Sequence, residues 1–108
     1  MRTSFTARHY KAPEKLKQFA EKEVQRLTKY HENIVECEIV LDYIKQTQVA
    51  EIKIGLNGQR LAAKEQSDDV YKSITVATDK MERQLRKIKS KLTNKKGVEK
   101  AVDISFTE

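Results

Sequence analysis

Apolar and polar residues alternate along residues 3–8, with Phe5 and Ala7 on one side of the chain and Ser4, Thr6 and Arg8 on the other. A period of two predicts a half-buried strand. After Lys11-Ala12-Pro13 the period changes, and Leu16, Ala20, Val24 and Leu27 recur at helical spacing with Phe19 and Tyr30 flanking them. Pro13 suits a first helical turn, so a first helix is predicted from about Pro13 to Tyr30. Alternation returns in Val35, Cys37, Ile39, Leu41 and Tyr43 against Glu36, Glu38, Val40 and Asp42, a strand with one wet face. Polar Lys45-Gln46-Thr47-Gln48 leads to a third strand, in which Ala50, Ile52, Ile54 and Leu56 alternate with Glu51, Lys53 and Gly55. Asn57-Gly58 then predicts a hairpin with a type I′ turn, because both residues tolerate positive φ. The fourth strand runs from Gln59 to about Glu65, with Leu61 and Ala63 facing in.

Ser67-Asp68-Asp69 reads as a capping serine followed by two acids favourably placed at the positive end of a helix dipole. The helix it opens carries Val70, Ile74, Ala77, Met81, Leu85, Ile88 and Leu92 in one unbroken apolar stripe, free of Gly and Pro. At 1.5 Å per residue it is a rod of roughly 35 Å. It breaks near Thr93-Asn94-Lys95-Lys96-Gly97, and Val102, Ile104 and Phe106 alternate in a tail readable as a short strand or as loose chain. The order β-α-β-β-β-α predicts an α+β two-layer sandwich: a four-stranded sheet with both helices on one face and the other face left to solvent. The division is a domain over 1–92 and a tail over 93–108.

Composition narrows the function. Of 108 residues, 38% are apolar and 35% charged, and no stretch approaches a membrane span. The start, Met1-Arg2-Thr3-Ser4-Phe5, lacks the apolar run of a secretory signal, so the expected compartment is the cytoplasm. A single cysteine and two histidines exclude an internal disulfide and a Cys/His zinc module.

The net charge of +6 is concentrated in one element. Lys80, Arg83, Arg86, Lys87, Lys89, Lys91, Lys95 and Lys96 against Glu82 give +7 between positions 80 and 96, leaving −1 for the rest of the chain. On the second helix Lys80, Arg83, Lys87 and Lys91 form a stripe beside the apolar one, with Arg86 and Lys89 outward; on the first, Lys15, Lys22 and Lys29 repeat every seven residues with Arg26 next to them. Helices lying side by side would turn these rows into a positively lined groove for a phosphodiester backbone. Three other readings remain: a solvated basic face, an anionic membrane surface and an acidic protein partner. The membrane reading is weak, because the apolar stripe lacks Trp and Phe and is needed to cover the sheet.

For catalysis the chain offers little. His9 and His31 are far apart in sequence, no nucleophile elbow or phosphate-cradling glycine loop is present, and Cys37 falls on an inward strand face. Asp68 and Asp69 are accounted for by helix capping without a metal. Tyr71 is either a core-edge aromatic, the favoured reading, or a base-stacking contact. No enzyme activity, cofactor, metal or small-molecule substrate is expected.

The run Ser67-Asp68-Asp69-Val70-Tyr71, then Ile74, then Asp79-Lys80-Met81-Glu82-Arg83-Gln84-Leu85-Arg86-Lys87, resembles the signature of the ribosome hibernation-promoting factor and ribosome-associated inhibitor family. Thr6-Ala7-Arg8, Leu16, Lys22, Leu27, Val49-Ala50-Glu51-Ile52, Asn57-Gly58 and Leu61 extend the likeness over roughly residues 1–92. The resemblance implies a double-stranded-RNA-binding-like fold that docks on the small ribosomal subunit, on 16S rRNA between head and body. There it would occlude tRNA and mRNA positions of the decoding centre and idle ribosomes in stationary phase or stress. The implied rRNA contacts are Lys22, Arg26 and Lys29 on the first helix and Lys80, Arg83, Arg86, Lys87 and Lys91 on the second, with Arg8 nearby. Such a wedge acts by occlusion and needs no cofactor. Ala7, Ala12 and Thr75 depart from the family's usual glycine, threonine and aspartate, without touching the groove. Glu108 closes the sequence with no separate dimerisation domain, so a short form, monomeric away from the ribosome, is expected. The alternative is a module for other structured RNA.

Overall fold

The computed structural model describes residues 1–29 and 34–93, with side chains through Ile88. Strand β1 (Arg2–Arg8) pairs in parallel with β2 (Glu36–Ile44), which pairs antiparallel with β3 (Thr47–Leu56), and β3 in turn with β4 (Gln59–Ser67). The sheet order is β1-β2-β3-β4. Helix α1 (Glu14–Val24) supplies the crossover that a parallel β1–β2 pair requires, and α2 (Val70–Thr93) follows β4. The α+β sandwich expected from the pattern is the fold observed. The tail from residue 94 onward lies outside the described residues.

The first helix differs from its prediction. Regular α-helix ends at Val24 and a 3-10 segment, Gln25–Lys29, continues it. Leu16, Ala20, Val24 and Leu27 step by four, four and three, as an α-helical stripe does, and the tightened segment keeps Leu27 fully buried in the core. Thr28 steadies that turn by donating its hydroxyl to Gln25 O at 2.8 Å. Pro13 sits just ahead of the helix in extended geometry, and its carbonyl accepts from the Leu16 and Lys17 amides.

The turns are a second difference. At Asn57–Gly58 only Gly58 is left-handed (φ 78°), so this hairpin does not use the predicted type I′ turn. Both φ values are positive instead at Lys45 (50°) and Gln46 (65°), which close the β2–β3 hairpin without a glycine. Asn-Gly permits several two-residue turns, and its presence does not choose among them.

The α2 cap also moves by two positions. Asp69, not Ser67, accepts the Tyr71 amide through its carboxylate at 2.9 Å. Ser67 is the last residue of β4; its hydroxyl accepts the Asp69 amide and lies 2.7 Å from the Ser73 hydroxyl, which donates to Gln48 O. These bonds pin the start of α2 to the ends of β3 and β4.

The core lies between helices and sheet. Leu16, Ala20, Val24 and Leu27 meet Ile74, Ala77, Met81 and Leu85 above Cys37, Ile39, Leu41, Ala50, Ile52, Ile54 and Ala63. Burial raises the Cys37 thiol to about 12, so it packs as a small apolar group. The opposite sheet face is charged. Glu36 bridges Arg2 (2.9 Å) and Arg60 (3.4 Å), lying across Gly55, where an added Cβ would come within 3.1 Å of the Glu36 Cγ.

Candidate nucleic-acid interface

The helices meet along a seam. Phe19 and Tyr71 pack edge to face at its upper end, with ring centroids 4.9 Å apart. Further along, the Arg26 guanidinium reaches Asp79 at 2.8 Å and Glu82 at 3.8 Å. Contacts that advance together in number, 19 with 71 and 26 with 79, show that the helices run in the same sense. Tyr71 thus has the packing role expected of it, with part of its ring still in solvent.

At 100° per residue, Asp79, Glu82 and Arg86 occupy the flank of α2 that faces the seam, and Arg83 lies next to them on the outward surface. On α1, Phe19, Glu23 and Arg26 face the seam, and Lys22 lies just outward of them. Lys22, Lys29, Arg83, Arg86 and Lys87 are exposed. Lys22 therefore lines one rim of the seam, with Lys29 one three-residue turn beyond Arg26 on the same side, and Arg83 and Arg86 line the other. Arg86 keeps a contact with Glu82 at 3.5 Å.

Lys80 behaves differently. Its ammonium pairs with Glu65 of β4 at 2.6 Å and approaches Lys64 O at 3.4 Å, while Gln84 donates to Ala62 O at 2.9 Å. The flank of α2 bearing Lys80 and, by the same periodicity, Lys87 is thus turned toward β4 and away from α1. The predicted groove between two facing basic rows needs correction. Its floor is an ion-pair cluster containing acids, and the stripe of Lys80 and Lys87 borders the far side of α2. The reason is the core contact of α2, which sets its rotation on the sheet.

Arg26 is held in that floor. Partial burial disfavours its charge, but the Asp79 hydrogen bond and the fields of Glu23 and Glu82 outweigh this and hold its pKa above the ordinary value. Its Nε is sealed from water without a hydrogen-bond partner, 3.7 Å from a Glu23 oxygen. Arg8 stands apart on the open face of the sheet, in register with Asp42. Asp42 is only 8% exposed and accepts from Nδ1 of His9 (2.6 Å) and the Tyr43 amide (2.8 Å). The His9 bond, helped by that amide and by Arg8, keeps its carboxyl below the usual aspartate range. For Lys91 only the backbone is described.

Sequence reasoning missed the two seam acids. Their signal was present: Asp79 and Glu82 are one helical step apart on an otherwise basic helix. Among the described residues no cluster of three or more metal-ligating side chains occurs, and no helix is long and apolar enough to cross a membrane.

Comparison with known proteins gives a consistent picture. A family model described as Sigma 54 modulation protein / S30EA ribosomal protein matches residues 3–93. The ribosome hibernation promoting factor of Salmonella typhimurium is 29% identical over 92 residues, covering 85% of this chain and 97% of the relative. Among solved structures, the N-terminal domain of Thermus thermophilus Protein Y superposes with a TM-score of 0.75 at 25% identity, over 82% of this chain and 99% of that one. A ribosomal subunit interface protein from Coxiella burnetii gives 0.78 at 26% identity, over 83% and 99%.

Proposed function

Because the chain belongs to the Sigma 54 modulation protein / S30EA ribosomal protein family, we propose that it binds ribosomes and regulates translation as a hibernation factor. The observation that carries this reading is the pair of exposed cationic rims, Lys22 and Lys29 opposite Arg83 and Arg86, on one side of the helical layer. Cations at fixed spacing on rigid elements are suited to successive phosphates of folded RNA, and each phosphate neutralised releases counterions. The target is small-subunit 16S rRNA at the decoding centre, where the bulk of the two-layer domain excludes tRNA and mRNA. The names of the relatives support a ribosomal partner, and the likeness to a subunit interface protein supports a site between subunits. Lys87 and Lys80 extend the basic surface beyond the rim, Lys91 follows one turn after Lys87 along α2, and Arg8 is a peripheral contact. The action is steric, in the cytoplasm, and requires no cofactor.

Co-sedimentation with vacant ribosomes tests this. The wild-type chain is expected with the small subunit, released progressively as salt rises, and the Arg83→Glu, Lys87→Glu, Lys91→Glu triple variant is expected in the supernatant with its thermal midpoint nearly unchanged. Equal affinity for an unrelated RNA duplex and for ribosomes would replace this reading with a general RNA-binding module.

A further inference from the structure

Two like-charged rims repel each other, and they stand on elements of unequal stiffness. Arg83 and Arg86 ride on the regular helix α2, whereas Lys29 ends the 3-10 segment Gln25–Lys29, whose hydrogen bonding is intrinsically poorer. Something must hold that segment in place. Leu27 anchors it to the core from below. From the side, Arg26 ties it to α2 through Asp79 at 2.8 Å and Glu82 at 3.8 Å. The acids serve both helices at once, since Glu82 also meets Arg86 at 3.5 Å.

We infer that Arg26 is a positioning residue: clamped by Asp79 and Glu82, it sets the spacing of Lys22 and Lys29 from Arg83 and Arg86, and it makes no phosphate contact of its own. Its side chain is 35% exposed, its Nε is shielded from solvent, and one of its two terminal nitrogens, Nη2, is committed to carboxylates. A phosphate would have to displace two acids to reach Nη2. Asp79 and Glu82 therefore favour RNA binding despite their charge, because they hold the rims in register. This inference rests on the nucleic-acid reading of the helical face.

The test is a salt titration of the full chain against isolated small ribosomal subunits. Arg26→Gln and Asp79→Asn are each expected to weaken binding about tenfold, and the double variant no more than either alone. The salt slope stays at the wild-type value in all three. Lys22→Gln, a direct contact, makes the slope shallower by roughly 0.7–0.9. Arg26→Lys, which keeps a charge for Asp79, recovers part of the affinity. Tighter binding by Asp79→Asn, or a slope lowered by Arg26→Gln as much as by Lys22→Gln, would overturn the inference and make Arg26 a phosphate ligand. The clamp is also read without RNA, as coupling between Arg26→Gln and Asp79→Asn in thermal unfolding. Zero coupling overturns the clamp alone, whereas salt-independent binding by the wild type overturns the nucleic-acid reading together with the positioning role.

Discussion

The two faces of the sandwich are both rich in charge, yet they arrange it differently. On the open sheet face Arg2, Arg8, Lys53, Arg60 and Lys64 interleave with Glu36, Glu38, Asp42 and Glu51, five bases against four acids in a lattice set by strand register. Glu36 bridges two arginines, and Asp42 is bonded to His9. On the helical side the acids are drawn into the seam, where Arg26 meets them, and the rim cations are left outward. The difference is one of arrangement more than of number. Where strands pair, opposite charges alternate at about 5 Å and cancel, whereas helical periodicity can sort them onto separate flanks.

The largest effect should come from emptying the rims. Replacing Lys22, Lys29, Arg83 and Arg86 by Gln is expected to lower the salt slope of ribosome binding by roughly 3, while Lys53→Gln with Lys64→Gln on the sheet face leaves it unchanged. An equal loss from both would erase the distinction between the faces. Both faces rest on one core, so Leu85→Ala beneath the helical face and Ile52→Ala in the sheet should each cost about 2–5 kcal/mol in urea unfolding. Gly55→Ala pushes Glu36 off its arginines and should cost about 1 kcal/mol without altering RNA binding. Lys45→Asn with Gln46→Gly relieves two left-handed residues and should raise stability by about 1 kcal/mol, read from the same unfolding curves.

Protonation gives the smallest and most local effect. The folded Asp42 carboxyl titrates below the roughly 3.9 of an unfolded aspartate. Its stabilisation is therefore complete above that value and drains away as pH falls through the lower, folded one. Asp42→Asn should flatten the acid limb of the stability profile below about pH 4 and leave the slope near neutrality untouched.

Much of this molecule is legible in its residues. Period two in residues 35–43 and the apolar stripe from Val70 onward identify β2 and α2, although Val40 and Asp42 on the other face of β2 are buried as well and Val35 and Tyr43 are exposed. The pairing of Arg26 was not legible, because the wheel puts Arg26 on one flank with Phe19 and Glu23 but does not say which flank of α2 lies opposite it. Nor could the sequence choose Asp69 over Ser67 as the cap, since both side chains serve that purpose and the end of β4 decides which is free. The pattern offers the cations as two facing rows of lysine and arginine, but Lys80 of the second row turns to β4. What lay between them depended on how far each helix was turned by its core contacts.

The bonds from Gln84 to Ala62 O and from Lys80 to Lys64 O have a consequence for how the molecules behave when crowded. They occupy acceptors along the outer margin of the last strand, where a foreign strand would otherwise find a template for cross-β growth. A long amphipathic rod that covers the core from above thereby also discourages neighbours from fusing their sheets on that side.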